Sequence, residues 1–274
     1  MVYFDEAGML IGQTIGHHGM MELYVHIYAA TFLFLASIAA IVIIYTMLKD
    51  TKFSWQAMLW AIFYIGLIGL GEAGEHFSAE PFIHDFFHYM HMIAAPLALI
   101  FLYLGVKEFS SEQIGDDSDA ISTEIGMIAL AATSTLIIIM ASMAESPWDV
   151  RVEGPFLYLT SIPTVILVAI LLRKTREIVD PFLSVHVPLV SILVSLLTID
   201  IMIGRYVDIE RLAAAYIMTH ALQDIFHVVL ATVLLPFAVS LSRTYKLKMA
   251  ELASLPRDES KPKPKSRPKI GVDY

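Results

Sequence analysis

The sequence predicts an all-α, polytopic membrane protein of seven transmembrane helices, with its N-terminus outside and its C-terminus cytoplasmic. Three observations carry that prediction. Of 274 residues, 57% are hydrophobic and 16% charged, at a mean hydropathy of +0.67, whereas soluble domains run about 45–50% apolar and about 25% charged. A soluble globular protein is excluded. Seven stretches reach the roughly 20 apolar residues that cross about 30 Å of hydrocarbon. The bases are sorted: Lys49, Lys52, Lys107, Arg173, Lys174, Arg176 and nine more after residue 242 lie on one side of the predicted spans, and Arg151, Arg205 and Arg211 on the other. Positive charge gathers on the cytoplasmic side of membrane proteins, which sets the orientation.

Taken in order, residues 1–22 lack the basic n-region and small-residue cleavage site of a signal peptide, so the first helix is expected to be retained. Within them MLIGQTIGHHGMM (9–21) is apolar but short and broken by glycine, which suits an interfacial segment. The spans follow at 23–48, 55–75, 85–106, 121–143, 156–173, 183–204 and 213–241, giving a transmembrane domain over 23–242. The remainder, 243–274, contains ESKPKPKSRPK and is too Pro- and Lys-rich to build a core; it reads as an extended tail that meets anionic lipid or a partner subunit.

An internal repeat is expected. HDFFHYMH (84–91) opens the third helix and HALQDIFH (220–227) lies near the start of the seventh, so His84 falls on His220, His88 on Asp224 and His91 on His227. Residues 23–106 and 156–241 would then be parallel three-helix repeats joined by the linker helix 121–143.

The chemistry has to come from imidazole and carboxylate. The chain has no cysteine, which removes thiolate metal sites, disulfides and a cysteine nucleophile, and it has no asparagine for N-glycosylation. Nine of its ten histidines fall at the outer ends of helices or in outer segments, His186 being the exception. Ionisable groups in a bilayer cost about 2.5–3.5 kcal/mol each, so their clustering marks a functional site. His84, His88 and His91 share one helical face, as do His220, Asp224 and His227. Facing each other, the two stripes would make three layers between the third and seventh helices. His88, His91, His220, Asp224 and His227 are the expected primary metal ligands. Glu72, Glu75, His76 and His84 are additional or supporting ligands, and His26 is a further contributor. Asp85 points away from its stripe and suits a helix cap, while Glu145, Asp149, Asp208 and Glu210 read as solvated loop charges.

Several functions fit these residues. A redox centre would make the chain an oxidoreductase or electron-transfer subunit. With haem b the axial ligands would be His91/His227 or His84/His220, the glycines 66, 69, 71 and 74 admitting the macrocycle and Arg205 and Arg211 meeting propionates. Those glycines equally suit close helix packing. Asp224 and Glu75 favour a non-haem iron or copper pair. The same residues could serve a divalent-metal transporter, or a zinc hydrolase with Glu75 as base. A structural subunit of a membrane complex is the fourth reading. No HExxH, GxSxG or P-loop string is present, and the seventh helix has no lysine for a retinal Schiff base. Expected partners are the bilayer, other membrane subunits and an outer-side electron carrier; nothing points to nucleic acid.

Overall fold

The computed structural model describes residues 18–50, 55–76, 80–110, 118–144, 150–178, 180, 183–209 and 213–254, and seven long helices make up nearly all of them. They are α1 (His18–Leu48), α2 (Gln56–Glu75), α3 (Pro81–Ser110), α4 (Ser118–Met143), α5 (Val150–Thr175), α6 (Leu183–Ile209) and α7 (Ala213–Ser254). Each contains a stretch long and apolar enough to cross a membrane: Tyr24–Leu48, Gln56–Glu75, Pro81–Lys107, Glu124–Met143, Gly154–Thr175, Leu183–Tyr206 and Met218–Leu247. Lipid offers no partners to backbone polar groups, so apolar runs of this length become helices, which satisfy those groups internally.

Local sequence sets the helix starts. Pro81 occupies the first position of α3, where a missing N–H costs nothing, and the Glu80 side chain accepts from the Ile83 N–H at 2.8 Å. Asp180 does the same before α6, accepting from the Leu183 N–H at 3.0 Å and from the Thr244 hydroxyl of α7 at 3.2 Å. Glu80 therefore takes the capping role that the sequence suggested for Asp85, which is buried one turn into α3. At the far end, α7 continues to Ser254, beyond the apolar run that the sequence ends at 241.

The inner bundle is α1, α2, α3, α6 and α7: α2 lies between α1 and α3, and α1 and α6 both pack on α7. α4 and α5 flank it and present Ile128, Ile138, Leu159 and Ile162 outward. Between helices in lipid, packing rather than hydrophobic burial favours association, and small residues permit it. A Cβ on Gly69 would come within 2.5 Å of the Ala30 carbonyl of α1, and one on Gly71 within 2.8 Å of the His91 backbone nitrogen of α3. These contacts bring α2 close enough for its carboxylates to reach histidines on both neighbours.

Candidate metal centre

The polar side chains converge at one end of the bundle, where α1, α3 and α7 begin and α2 and α6 end. On α2, Glu72 and Glu75 are three apart and face α3, whose His88 and His91 are likewise three apart. His88 Nδ1 lies 3.0 Å from Glu75 Oε2, and His91 Nδ1 lies 3.6 Å from the same oxygen. One ligand atom from each of Glu75, His88 and His91 falls within 4.8 Å of the others, and all three residues are buried. His91 Nε2 is turned to Glu72 Oε1 at 3.2 Å, while its Nδ1 has no hydrogen-bond partner among the described residues. A proton on Nε2 therefore faces Glu72 and leaves the Nδ1 lone pair toward Glu75 and His88.

Glu72 also reaches the other way. Its Oε2 lies 3.0 Å from His26 Nε2 on α1, and the Gln223 amide of α7 donates to its Oε1. The second nitrogen of His26, Nδ1, is 2.6 Å from Asp224 Oδ1. Three more imidazoles surround His26, with ring centroids at 5.2 Å (His76), 5.5 Å (His220) and 6.1 Å (His227). His227 is fully enclosed, and neither of its ring nitrogens has a hydrogen-bond partner among the described residues. His84 sits toward the edge, 3.3 Å from Asp85 and stacked 6.0 Å from His88. A small opening about one water wide is lined by Glu72, Glu75, His91, Ile201, Gly204, Arg205, His220 and Gln223.

Charge balance constrains what this end can hold. Glu72, Glu75, Asp85, Asp200 and Asp224 are buried here, and the buried guanidinium among the described residues is Arg205. Several carboxylates in a low dielectric require compensating cations, supplied by imidazolium protons or by a metal. Just past the α2 span, burial holds the His76 imidazole below its ordinary value, with the adjacent Glu75 carboxylate opposing that shift. A neutral imidazole is the ligating form.

The sequence reading set the third and seventh helices face to face. The structure instead packs α3 against α2, α4, α5 and α6, and α7 against α1 and α6. Glu72 and His26 stand between the stripes: His88 and His91 meet Glu75 and Glu72, and Asp224 meets His26. The α2 glycines read as room for a macrocycle have close neighbours, Ser37 at Gly66, Ala30 at Gly69, His91 at Gly71 and Phe87 at Gly74. Gln223 was missed as a site residue although it lies three residues after His220 and four before His227, on their face of the helix. Asp85 was placed as a cap, and its burial against His84 followed from no sequence signal beyond its neighbours. The side chains of His17, His18, Arg211, Glu145, Asp149, Asp208 and Glu210 lie outside the described residues.

No protein-family model matches the chain, and comparison with curated proteins and with solved structures finds no match. Seven membrane-spanning-capable helices and a buried His/Glu group that could hold a metal ion suggest a multi-pass membrane metal-binding protein.

Proposed function

We propose that the chain is a membrane oxidoreductase or electron-transfer subunit with a non-haem metal, iron before copper, on Glu75, His88 and His91. One observation carries the reading: two imidazoles and one carboxylate, buried, with ligand atoms within 4.8 Å of one another. Two histidines and a carboxylate around an ion that retains open positions form the donor set of non-haem iron(II) centres. Without cysteine, soft-ligand selection of copper(I) would rest on methionine, and the Glu75, His88 and His91 donors are imidazole and carboxylate. The packed glycines of α2 favour a compact ion over a flat macrocycle.

A metal held by Glu75, His88 and His91 would supply one-electron chemistry between a reduced and an oxidised carrier on neighbouring subunits or an outer-side partner. The sorted bases support an outer-leaflet position for the centre, with the 243–274 tail on the cytoplasmic side. The short match of 84–91 to 220–227 supports reading the two stripes as corresponding parts of a duplicated unit.

Elemental analysis and optical and electron-paramagnetic spectra of the purified chain test it. The expected result is stoichiometric iron with no Soret band, lost in His88→Ala and His91→Ala. A Soret band removed by His91→Ala or His227→Ala selects haem instead, and zinc alone moves the reading to a hydrolase or a transporter. Protein purified without chelator that holds no metal refutes it.

A further inference from the structure

We infer that His26 and Gln223 are positioning residues that hold the Glu72 carboxylate off the metal position and so keep a coordination site there for a small ligand. That ligand is a molecule of one or two heavy atoms, binding through oxygen or nitrogen, that reaches the site by the opening beside Arg205. The inference rests on the reading of Glu75, His88 and His91 as a metal site and names the class of molecule that site would take.

Glu72 is the nearest competitor for the ion. It precedes Glu75 by three residues on the same face of α2, and it is buried. Carboxylate oxygens are ready ligands for divalent ions, yet Glu72 is not in the group whose ligand atoms lie within 4.8 Å of one another. Both of its oxygens are engaged elsewhere. Oε2 meets His26 Nε2 of α1 at 3.0 Å, and Oε1 accepts from the Gln223 amide of α7. Oε1 also lies 3.2 Å from His91 Nε2, the ring nitrogen opposite the Nδ1 that faces Glu75. His26 is itself anchored, with its Nδ1 2.6 Å from Asp224 Oδ1. The restraint on Glu72 therefore comes from α1 and α7, neither of which supplies a donor to the Glu75, His88 and His91 group.

Two imidazoles and one carboxylate leave an iron(II) ion with open positions. Glu75 does not close them with its second oxygen, because Oε1 is turned toward His76 at 3.4 Å while Oε2 faces His88 and His91 at 3.0 and 3.6 Å. The opening about one water wide is lined by Glu75 and His91 together with Gly204 and Arg205 of α6 and Gln223 of α7. It therefore adjoins two of the three ligand residues, and its width suits a diatomic molecule and excludes a bulky organic substrate. The N–H groups of Arg205 and Gln223 in its lining suit an acceptor atom on the ligand. Release of Glu72 would put a fourth protein donor on the ion at the edge of that same opening.

Nitric oxide added to the iron(II)-loaded full-length chain in detergent micelles is the probe, read by its electron-paramagnetic signal, with bound iron measured in parallel. The wild type is expected to take up nitric oxide stoichiometrically with iron. At saturating iron, His26→Leu and Gln223→Leu should each weaken nitric oxide binding about 10- to 100-fold while iron stays bound. Adding Glu72→Ala to either should restore it, a rescue that mere loosening of the helix packing would not give. Stoichiometric iron with no nitric oxide signal in the wild type overturns the open position and leaves the metal site standing. Wild-type binding in both single variants, or a loss that Glu72→Ala does not restore, overturns the role of His26 and Gln223. No bound iron at all refutes the metal site and the inference together. The two single variants release Glu72 from different helices, so if one fails to elute as a monodisperse species the other still decides.

Discussion

Gly71→Ala probes how far the centre depends on the approach of α2 to α3. The added methyl carbon would stand 2.7 Å from His91 Cβ, 2.8 Å from the His91 backbone nitrogen and 2.8 Å from the Phe87 carbonyl oxygen, where ordinary contact begins at 3.4 Å. Two of the three are backbone atoms, which no rotamer change can move. The helices must therefore part by about 0.6–0.7 Å, whereas metal–ligand distances tolerate about 0.2 Å. Overpacking costs about 1–3 kcal/mol, and alanine regains about 1 kcal/mol of helix propensity over glycine. Stability of the metal-free protein should thus fall by at most about 2 kcal/mol. Metal affinity at Glu75, His88 and His91 should bear the displacement in full, weakening about 5- to 150-fold for 1–3 kcal/mol. Competition against a chelator of known affinity measures the second quantity and thermal unfolding in detergent the first. Gly154→Ala, in α5 with nothing within 4 Å of its Cβ, is the control: it should leave metal affinity unchanged and keep only the gain of about 1 kcal/mol in helix propensity. An affinity within twofold of wild type in Gly71→Ala would show that the separation of α2 and α3 does not set the ligand geometry.

Glu72→Gln places an amide N–H where a carboxylate oxygen accepts from His91, His26 and Gln223; metal affinity should fall about 10- to 100-fold by chelator competition, and wild-type affinity would release Glu72 from its supporting role. His84→Ala should change that affinity less than about fivefold, since His84 sits at the edge against Asp85 and a peripheral polar contact is worth under about 1 kcal/mol; a loss equal to that in His88→Ala would make His84 a ligand. The native chain has no cysteine, so Ser146→Cys and Ser260→Cys each give a single label site, and a membrane-impermeant maleimide applied to intact cells should modify the first and spare the second. Equal labelling would contradict the orientation drawn from the bases.

The spans were legible because bilayer thickness translates into a one-dimensional count of apolar residues, and all seven stretches recur as helices in the structure. The residue types of the centre were legible for a related reason: His26, Glu72, Glu75, His88 and His91 stand out because ionisable groups inside apolar runs are rare and costly. What periodicity cannot encode is which helix a face meets. The stripe of His84, His88 and His91 has a direction on α3, but its neighbour is chosen by Gly69 and Gly71, which let α2 slide between α1 and α3. The glycines were read with two meanings, and only the positions of Ala30 and His91 separate them. Gln223 was legible in principle from its place beside His220 and His227, yet its value depends on Glu72, 151 residues away in sequence.

The cluster and the bundle impose conditions on each other. Helices in lipid are stable singly, and no hydrophobic gain draws one to the next. Glu72, Glu75 and Asp224 are costly to bury on an isolated helix, and each becomes acceptable only when His88, His91 and His26 arrive from other helices. The polar end thus favours the single arrangement in which α2 lies between α1 and α3 with α7 beyond α1, because other rotations of the same helices leave carboxylates facing hydrocarbon. A bound cation strengthens that preference by removing the remaining negative charge, and any ligand that binds only the assembled bundle adds its binding free energy to assembly. Metal loading should therefore raise the unfolding temperature of the wild type and not that of His88→Ala, a comparison that ties the chemistry of the site to the reason the helices pack as they do.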